Sequence, residues 1–217
     1  MKPVVHIVDD DESFRTATAR LLSAYGVRVE VHESGDQFLA SLPNCEPGCV
    51  LLDLQMPGRS GLQIQHQLSE VAPLLPIVFL TGQGDIKAGV DAMKAGAHDF
   101  LEKPSSLAVL METIERALAQ YERRRTEYER LHQMRTLVAG LSAREAEVLG
   151  LVVRGYLNKQ IAYALGISER TVKVHRHQVM EKLGVRSLAE AVSIAAEIGL
   201  GHGQIRSGTQ SDEQPSP

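Results

Sequence analysis

The sequence predicts an α/β front half on a five-stranded, doubly wound parallel sheet, then a long linker helix, then an all-α domain of four helices. Three observations carry this. Over residues 1–120, short apolar, β-branched runs alternate with stretches of helical periodicity. From residue 107 to about residue 135 there is neither Gly nor Pro. Beyond residue 141, helical segments follow one another, opened by Ser or stopped by Gly.

The strand-like runs lie at Val4–Val8, at 27–31, 50–54 and 77–80, and near 100–101. Helical periodicity occupies 14–25, 35–42, 62–71 and 85–95, and a fifth helix begins after Pro104. Asp11 and Glu12 suit the start of the first helix, where acids complement the helix dipole. Strands alternating with helices at this spacing imply a parallel sheet covered on both faces. Ligands bind such sheets at the carboxyl ends of the strands. In the long helix, Leu107, Met111, Ile114, Leu118 and Tyr121 follow a 4-3-4-3 spacing that Arg125 interrupts. That stripe fits either a coiled-coil seam between two subunits or packing on the chain's own sheet. Ser142 and Glu145 form a capping-box pattern opening a helix to about residue 154. Asn158–Leu165 is a short helix stopped by Gly166. Ser168 caps another that runs to Leu183 and stops at Gly184, and residues 187–198 form the last. Residues 201–217 are polar and rich in Gly, Ser, Gln and Pro, and read as a disordered tail. The division is therefore 1–120, a helical linker 121–140, 141–200 and a tail 201–217.

Composition is that of a globular protein: 217 residues, 43% apolar, 23% charged, no Trp. No apolar run approaches the ~18 residues of a membrane span. The short apolar stretch at the N-terminus is followed by acids and does not read as a signal peptide. A cytoplasmic protein without membrane contact is expected, in which Cys45 and Cys49 are two reduced thiols. Charge is uneven. Residues 1–120 carry 9 basic and 16 acidic side chains, net −7, whereas 121–140 and 141–200 are each net +2. A polyanion would be drawn to the back half and repelled by the front.

The strand ends collect a specific set of residues: Asp9 and Asp10 after the first strand, Asp53 after the third, Thr81 and Gly82 after the fourth, Lys103 and Pro104 after the fifth. Clustered carboxylates repel one another, and a hard divalent cation such as Mg²⁺ relieves that repulsion. A carboxylate beside such a cation, a lysine and a hydroxyl can accept a phosphoryl group. The ordered set Val-Asp9-Asp10, Leu-Leu-Asp53-Leu-Gln-Met-Pro57-Gly, Leu-Thr81-Gly82 and Glu-Lys103-Pro104 resembles the receiver domain of two-component response regulators over nearly all of residues 1–120. The resemblance implies that Asp53 is the phosphoacceptor for a sensor histidine kinase. It implies Mg²⁺ held by Asp10, Asp53 and the backbone carbonyl of Gln55, with Asp9 assisting. Thr81 would hydrogen-bond the phosphoryl group, Lys103 would pair with it, and Phe100 would be the switch aromatic. The Lys103-Pro104 bond is expected to be cis. Ser105 stands where the family often has an apolar residue.

Two other patterns point elsewhere. Gly82-Gln-Gly84 resembles a dinucleotide loop, but the third glycine is misplaced and the loop follows the fourth strand. Asp53-Leu-Gln55 is similar to the nucleophile loop of haloacid-dehalogenase-type phosphatases, which need a second Asp where this chain has Gln55. No acid–base residue is thus placed for turnover. The reading is of a phosphoacceptor with slow autodephosphorylation at most, not an enzyme. The alternative is a metal-dependent phosphatase-like protein with a helical oligomerisation domain.

In the back half, Ile161, Ala162, Leu165, Ile167, Val172 and Leu183 form apolar faces of two helices meeting at a tight turn, and the second helix presents Arg170, Lys173, Arg176 and His177 outward. Leu141-Ser-Ala-Arg-Glu145, Asn158-Lys159-Gln-Ile161-Ala162, Leu165-Gly166-Ile167-Ser168 and Thr171-Val-Lys173-Val-His175-Arg176-His177 resemble the LuxR-type helix-turn-helix. With the receiver, this is similar to the FixJ branch of the NarL/FixJ family. The resemblance implies that Lys173, Val174 and His177 read bases of double-stranded DNA, and that Asn158, Lys159, Thr171 and Arg176 touch phosphates, with Arg170 on the same basic face. It also implies a homodimer on phosphorylation and RNA polymerase as a further partner. His175 suits either a packing role or the exposed face.

Overall fold

Five parallel strands form one sheet in the order β2-β1-β3-β4-β5 in the computed structural model, which describes residues 3–82 and 86–200. The chain divides into two compact units, Met1–Thr126 and Glu127–Pro217. The strands are β1 (Val4–Val8), β2 (Arg28–His32), β3 (Gly48–Asp53), β4 (Ile77–Thr81) and β5 (Asp99–Glu102). Parallel pairing requires crossover helices. These are α1 (Glu12–Ala24), α2 (Gly35–Ser41), α3 (Gly61–Val71) and α4 (Ile86–Lys94), with α5 (Leu107–Ala139) following β5. The expected start of α4 at residue 85, the Gln83–Gly84 loop and the 201–217 tail lie outside the described residues.

Strand alternation explains how the sheet is covered. Val5, Ile7, Leu51, Val78 and Leu80 point to one face, where Leu22 of α1 and Leu110, Ile114 and Ala117 of α5 meet them. Val8, Val50, Leu52 and Phe79 point to the other, against Phe38 of α2, Ile64 and Leu68 of α3 and Ala92 of α4. β3 is buried along its whole length, as a central parallel strand should be. It begins at Gly48, two residues earlier than expected, because Gly48 and Cys49 already pair with Val4 and Val5 of β1, which passes so close that a Cβ at Gly48 would lie 1.7 Å from the Val4 carbonyl oxygen. β2 is shifted by one residue, to end at His32 opposite Val8. Being an edge strand, it lacks the continuous apolar run that marks the inner strands.

The two arrangements open for the long helix resolve for its first half: Leu110, Ile114, Ala117 and Tyr121 are buried, and the first three pack on the sheet. Each such Leu or Ile contributes roughly 1.5–3 kcal/mol by leaving water. The helix runs to Ala139, past the expected end near residue 135, since nothing stops it before Gly140, whose N–H closes on the Thr136 carbonyl.

The second unit contains α6 (Ala143–Val153), α7 (Asn158–Leu165), α8 (Glu169–Leu183) and α9 (Leu188–Glu197). Ser142 and Glu145 make the reciprocal capping box. α7 ends at Gly166 with φ 64°, a left-handed conformation that glycine adopts at little cost. Val148, Leu151, Val152, Ile161, Ala162 and Val172 bury the angle between α6, α7 and α8. Among the described residues no helix is long and apolar enough to cross a membrane.

Candidate functional site

At the carboxyl edge of the sheet, β1 and β3 deliver Asp9, Asp10 and Asp53 to one place: a carboxylate oxygen from each lies within 4.8 Å of the others. Asp9 and Asp53 are buried and Asp10 is exposed. From the end of β5, the Lys103 ammonium reaches Asp9 Oδ2 at 2.6 Å and Asp53 Oδ1 at 3.1 Å. The Lys103-Pro104 peptide is cis. Burial pushes the Asp53 carboxyl above its ordinary pKa, Lys103 partly offsets this, and Asp9 adds to it. Burial works against the Lys103 ammonium, but the two carboxylates outweigh it and hold its pKa above the usual lysine value. Three carboxylates face one ammonium, so the site is short of positive charge. A donor set made only of oxygens fits a hard divalent cation such as Mg²⁺.

Neighbouring residues hold these groups in place, Asp11 as the sequence leads us to expect and the others unforeseen. Asp11 caps α1, accepting from Ser13 N and Phe14 N, which fixes the turn after Asp10. The Phe14 ring then lies 4.4 Å from Lys103 Nζ, a cation–π contact. Arg15 Nη1 donates to the Asp9 carbonyl at 2.6 Å. Gly61, at the start of α3, leaves space that nothing larger could take: a Cβ would sit 2.5 Å from the Asp53 carbonyl oxygen and 3.0 Å from Leu54 Cα. The only sequence signal for it was its place in the Gly-Arg-Ser-Gly turn. The backbone N–H of Gln55 donates to the Asp53 carboxylate.

Thr81 is buried at the end of β4, and its hydroxyl donates to the Leu101 carbonyl of β5 at 3.4 Å. That is long for an O–H···O bond and correspondingly weak. Phe100 is 40% exposed on the edge strand β5, and its ring covers Gly89 of α4.

The second unit presents a different kind of surface. Lys159, Arg170, Lys173, Val174 and His177 are exposed, and Asn158, Thr171 and Arg176 partly so. Ser168 caps α8 by accepting from Thr171 N at 3.1 Å. Arg176 Nη1 donates to Asn158 Oδ1, tying α8 to the first turn of α7. His175 is half-buried with Nδ1 inside, which gives it the packing role. One link escaped the sequence: Glu145 of the capping box also accepts from Lys182 Nζ at 2.6 Å. The Lys182 ammonium and the Ser142 N–H together hold the Glu145 carboxyl down to about 2.

Comparison with known proteins agrees with both halves. Residues 5–115 match the family described as response regulator receiver domain, and residues 139–195 match the bacterial regulatory proteins of the luxR family. The chain is 42% identical over 197 residues to the transcriptional regulatory protein FixJ of Rhizobium meliloti (strain 1021), covering 91% of this chain and 97% of that one. It is 41% identical over 195 residues to the response regulator protein TodT of Pseudomonas putida (strain F1), covering 90% and 86%. Among solved structures, the response regulator StyR superposes with a TM-score of 0.79 at 45% identity, covering 91% of this chain and 100% of that chain.

Proposed function

This chain belongs to the response regulators that join a receiver domain to a LuxR-type DNA-binding domain, and from that premise we propose that Asp53 is the residue whose phosphorylation switches its binding to DNA. One observation carries the assignment. Asp53 is the carboxylate at the end of the central strand β3 that is held by Lys103 at 3.1 Å and has Asp9 and Asp10 within 4.8 Å.

A carboxylate oxygen of Asp53 attacks the phosphorus of a phosphohistidine on the sensor kinase. The P–N bond breaks, its electron pair returns to the histidine, and an acyl phosphate remains on Asp53. Mg²⁺, held by Asp9, Asp10, Asp53 and the Gln55 carbonyl, would neutralise phosphoryl oxygens. Lys103 keeps its charge beside Asp53 and can pair with the new anion. Thr81 exchanges its weak bond to the Leu101 carbonyl for a stronger, charge-assisted one to the phosphoryl group. That movement vacates space next to β5, and Phe100 turns inward from its place over Gly89. The face made by α4 and β5 then favours pairing with a second copy.

The dimer reads two symmetric half-sites. Lys173, Val174 and His177 contact bases. Asn158, Lys159, Thr171 and Arg176 hold phosphates, with Arg170 adding positive charge. The division into a receiver at 1–120, a helical linker at 121–140, a DNA-binding domain at 141–200 and a tail at 201–217 belongs to this reading. So do a cytoplasmic location and recruitment of RNA polymerase. The protein keeps the phosphoryl group as a signal and does not turn it over, because Gln55 offers no general acid beside Asp53.

Acetyl phosphate with Mg²⁺ should add the mass of one phosphoryl group to the wild type and none to Asp53→Asn. Equal labelling of the variant in intact-mass spectra would place the phosphoacceptor elsewhere.

A further inference from the structure

Beneath the acidic edge, on the face of the sheet covered by α2, a second set of ligating atoms converges. The register of β1 on β2 pairs His6 with Glu30 and Val8 with His32, so His6, Glu30 and His32 share one face. One ligand atom from each lies within 4.8 Å of the others. His6 is fully buried and His32 is 7% exposed, whereas the Glu30 side chain is 45% exposed at the open edge of β2. Phe38 packs beside both imidazoles, with ring centroids 5.6 and 5.0 Å away, and limits their movement.

The hydrogen bonding within this cluster is incomplete. His6 Nε2 lies 3.1 Å from the Glu46 carbonyl oxygen, which can only accept, so Nε2 carries the proton. In the neutral ring, Nδ1 is then a bare lone pair. It lies 3.3 Å from Glu30 Oε2, without hydrogen-bond geometry. A lone pair facing a carboxylate is repulsive unless something positive sits between them. His32 Nε2 is also buried with no hydrogen-bond partner among the described residues. Burial, and after it His6, lowers the pKa of His32, which favours the neutral ring that ligates metals. The bond from His6 to a backbone carbonyl is the outer-shell support that orients a metal-binding imidazole.

We propose that His6, His32 and Glu30 form a binding site for a transition-metal dication, with Zn²⁺ as its fitting occupant. Two imidazoles and a carboxylate are a zinc donor set, with water in the fourth position on the exposed side of Glu30. Zinc bonds of 2.0–2.1 Å place tetrahedral ligands about 3.4 Å apart. The His6–Glu30 spacing of 3.3 Å already suits that geometry, and a ligand atom of His32 lies within 4.8 Å of both. The ion would pin the edge strand β2 to β1 three residues before Asp9, whose N–H already bonds the His32 carbonyl. This site stands on the fold and not on the role of Asp53, so the two readings fail independently.

The test uses the full-length protein in excess Mg²⁺, which occupies the acidic edge, with Zn²⁺ titrated by calorimetry and Co²⁺ added as a visible probe. The wild type should take up one Zn²⁺ and give the absorption of tetrahedral Co²⁺. Glu30→Gln, at the exposed rim, should bind at least tenfold more weakly, and His32→Gln should lose the Co²⁺ spectrum. Both should keep full labelling by acetyl phosphate, which shows that they are folded. Cys45→Ser should bind as the wild type, because Cys45 Sγ sits 3.4 Å from the protonated Nε2 and not at the ligating side of His6. Equal affinity in wild type and Glu30→Gln, or loss in Cys45→Ser, would overturn the ligand set. A His6 ring protonated on both nitrogens and unmoved by saturating Zn²⁺ in nitrogen-15 spectra would show that the cation is a proton.

Discussion

The strand-end site and the α8 surface solve opposite problems. At the sheet edge, Asp9, Asp53, Thr81 and Lys103 come from four strand ends and are mostly buried, so each charge depends on the others. On α8, Lys173, Val174 and His177 lie within two turns of one helix and are exposed, so each stands in water. Burial makes the first site a matter of stability as well as chemistry. Exposure makes the second nearly silent in stability and visible only in binding.

The sharpest way to break that contrast is to remove the cation from the buried site. Lys103→Met leaves Asp9 and Asp53 facing each other without their shared ammonium. Breaking a buried pair costs about 3–5 kcal/mol, and the 20% exposure of the Lys103 side chain softens this to about 2–3 kcal/mol. The urea midpoint without Mg²⁺ should fall accordingly, and added Mg²⁺ should restore part of it. Lys173→Ala should leave the same midpoint within about 0.5 kcal/mol. Equal shifts in the two variants would erase the distinction.

Gly61→Ala asks whether the packing behind Asp53 is as tight as its charges. A Cβ at 2.5 Å from the Asp53 carbonyl oxygen must displace backbone, at a cost of about 1–3 kcal/mol. Acetyl phosphate labelling should slow with it, because the displaced backbone is that of Asp53 itself. An unchanged midpoint and labelling rate would mean that α3 can retreat freely.

Across the exposed basic surface of α7 and α8 the contrast is between proposed base reading and proposed phosphate holding. Lys173→Ala should relax sequence preference, costing about 1–3 kcal/mol of discrimination between sites. Lys159→Ala should weaken binding to all sequences and reduce the salt slope by about 1. Binding curves at several salt concentrations on matched and mismatched sites separate the two. Identical behaviour would dissolve the division.

What could be read from the chain follows the same contrast. The acidic site was legible because strand–helix alternation alone brings strand ends to one edge, so Asp9, Asp53, Thr81 and Lys103 needed no register. The α8 surface was legible because helical spacing is local. Residues whose role depends on what lies opposite them were not. Gly61 matters through the Asp53 backbone, Phe14 through the Lys103 ammonium, and His6 through a β1–β2 register that shifts with one residue of strand length. β2 was misplaced by that one residue because the edge strand Arg-Val-Glu-Val-His carries no continuous apolar signal. The capping box at Ser142 could be read from its spacing. The ion pair from Glu145 to Lys182, 37 positions away, could not.

That ion pair gives the second unit a buried carboxylate held by a lysine, as in the first, and it gives the smallest and most specific effect. Glu145 is held down to about 2, first by Lys182 and then by the Ser142 N–H. A carboxyl whose folded pKa is depressed contributes stability that is complete above its unfolded value, about 4.3, and lost as pH falls through the folded value. Glu145→Gln keeps an oxygen for the Ser142 N–H and loses the charge. The thermal midpoint of the second unit should therefore be slightly lower in the variant at pH 7, by an amount unchanged down to about pH 4.5. The gap should then narrow and vanish as pH approaches 2, as the wild-type carboxyl takes up its proton. Calorimetry of the two proteins from pH 7 to pH 2 follows the gap directly. A gap that persists at pH 2 would assign the difference to packing of the side chain, and leave the acidic edge of the sheet as the place where this protein ties stability to charge.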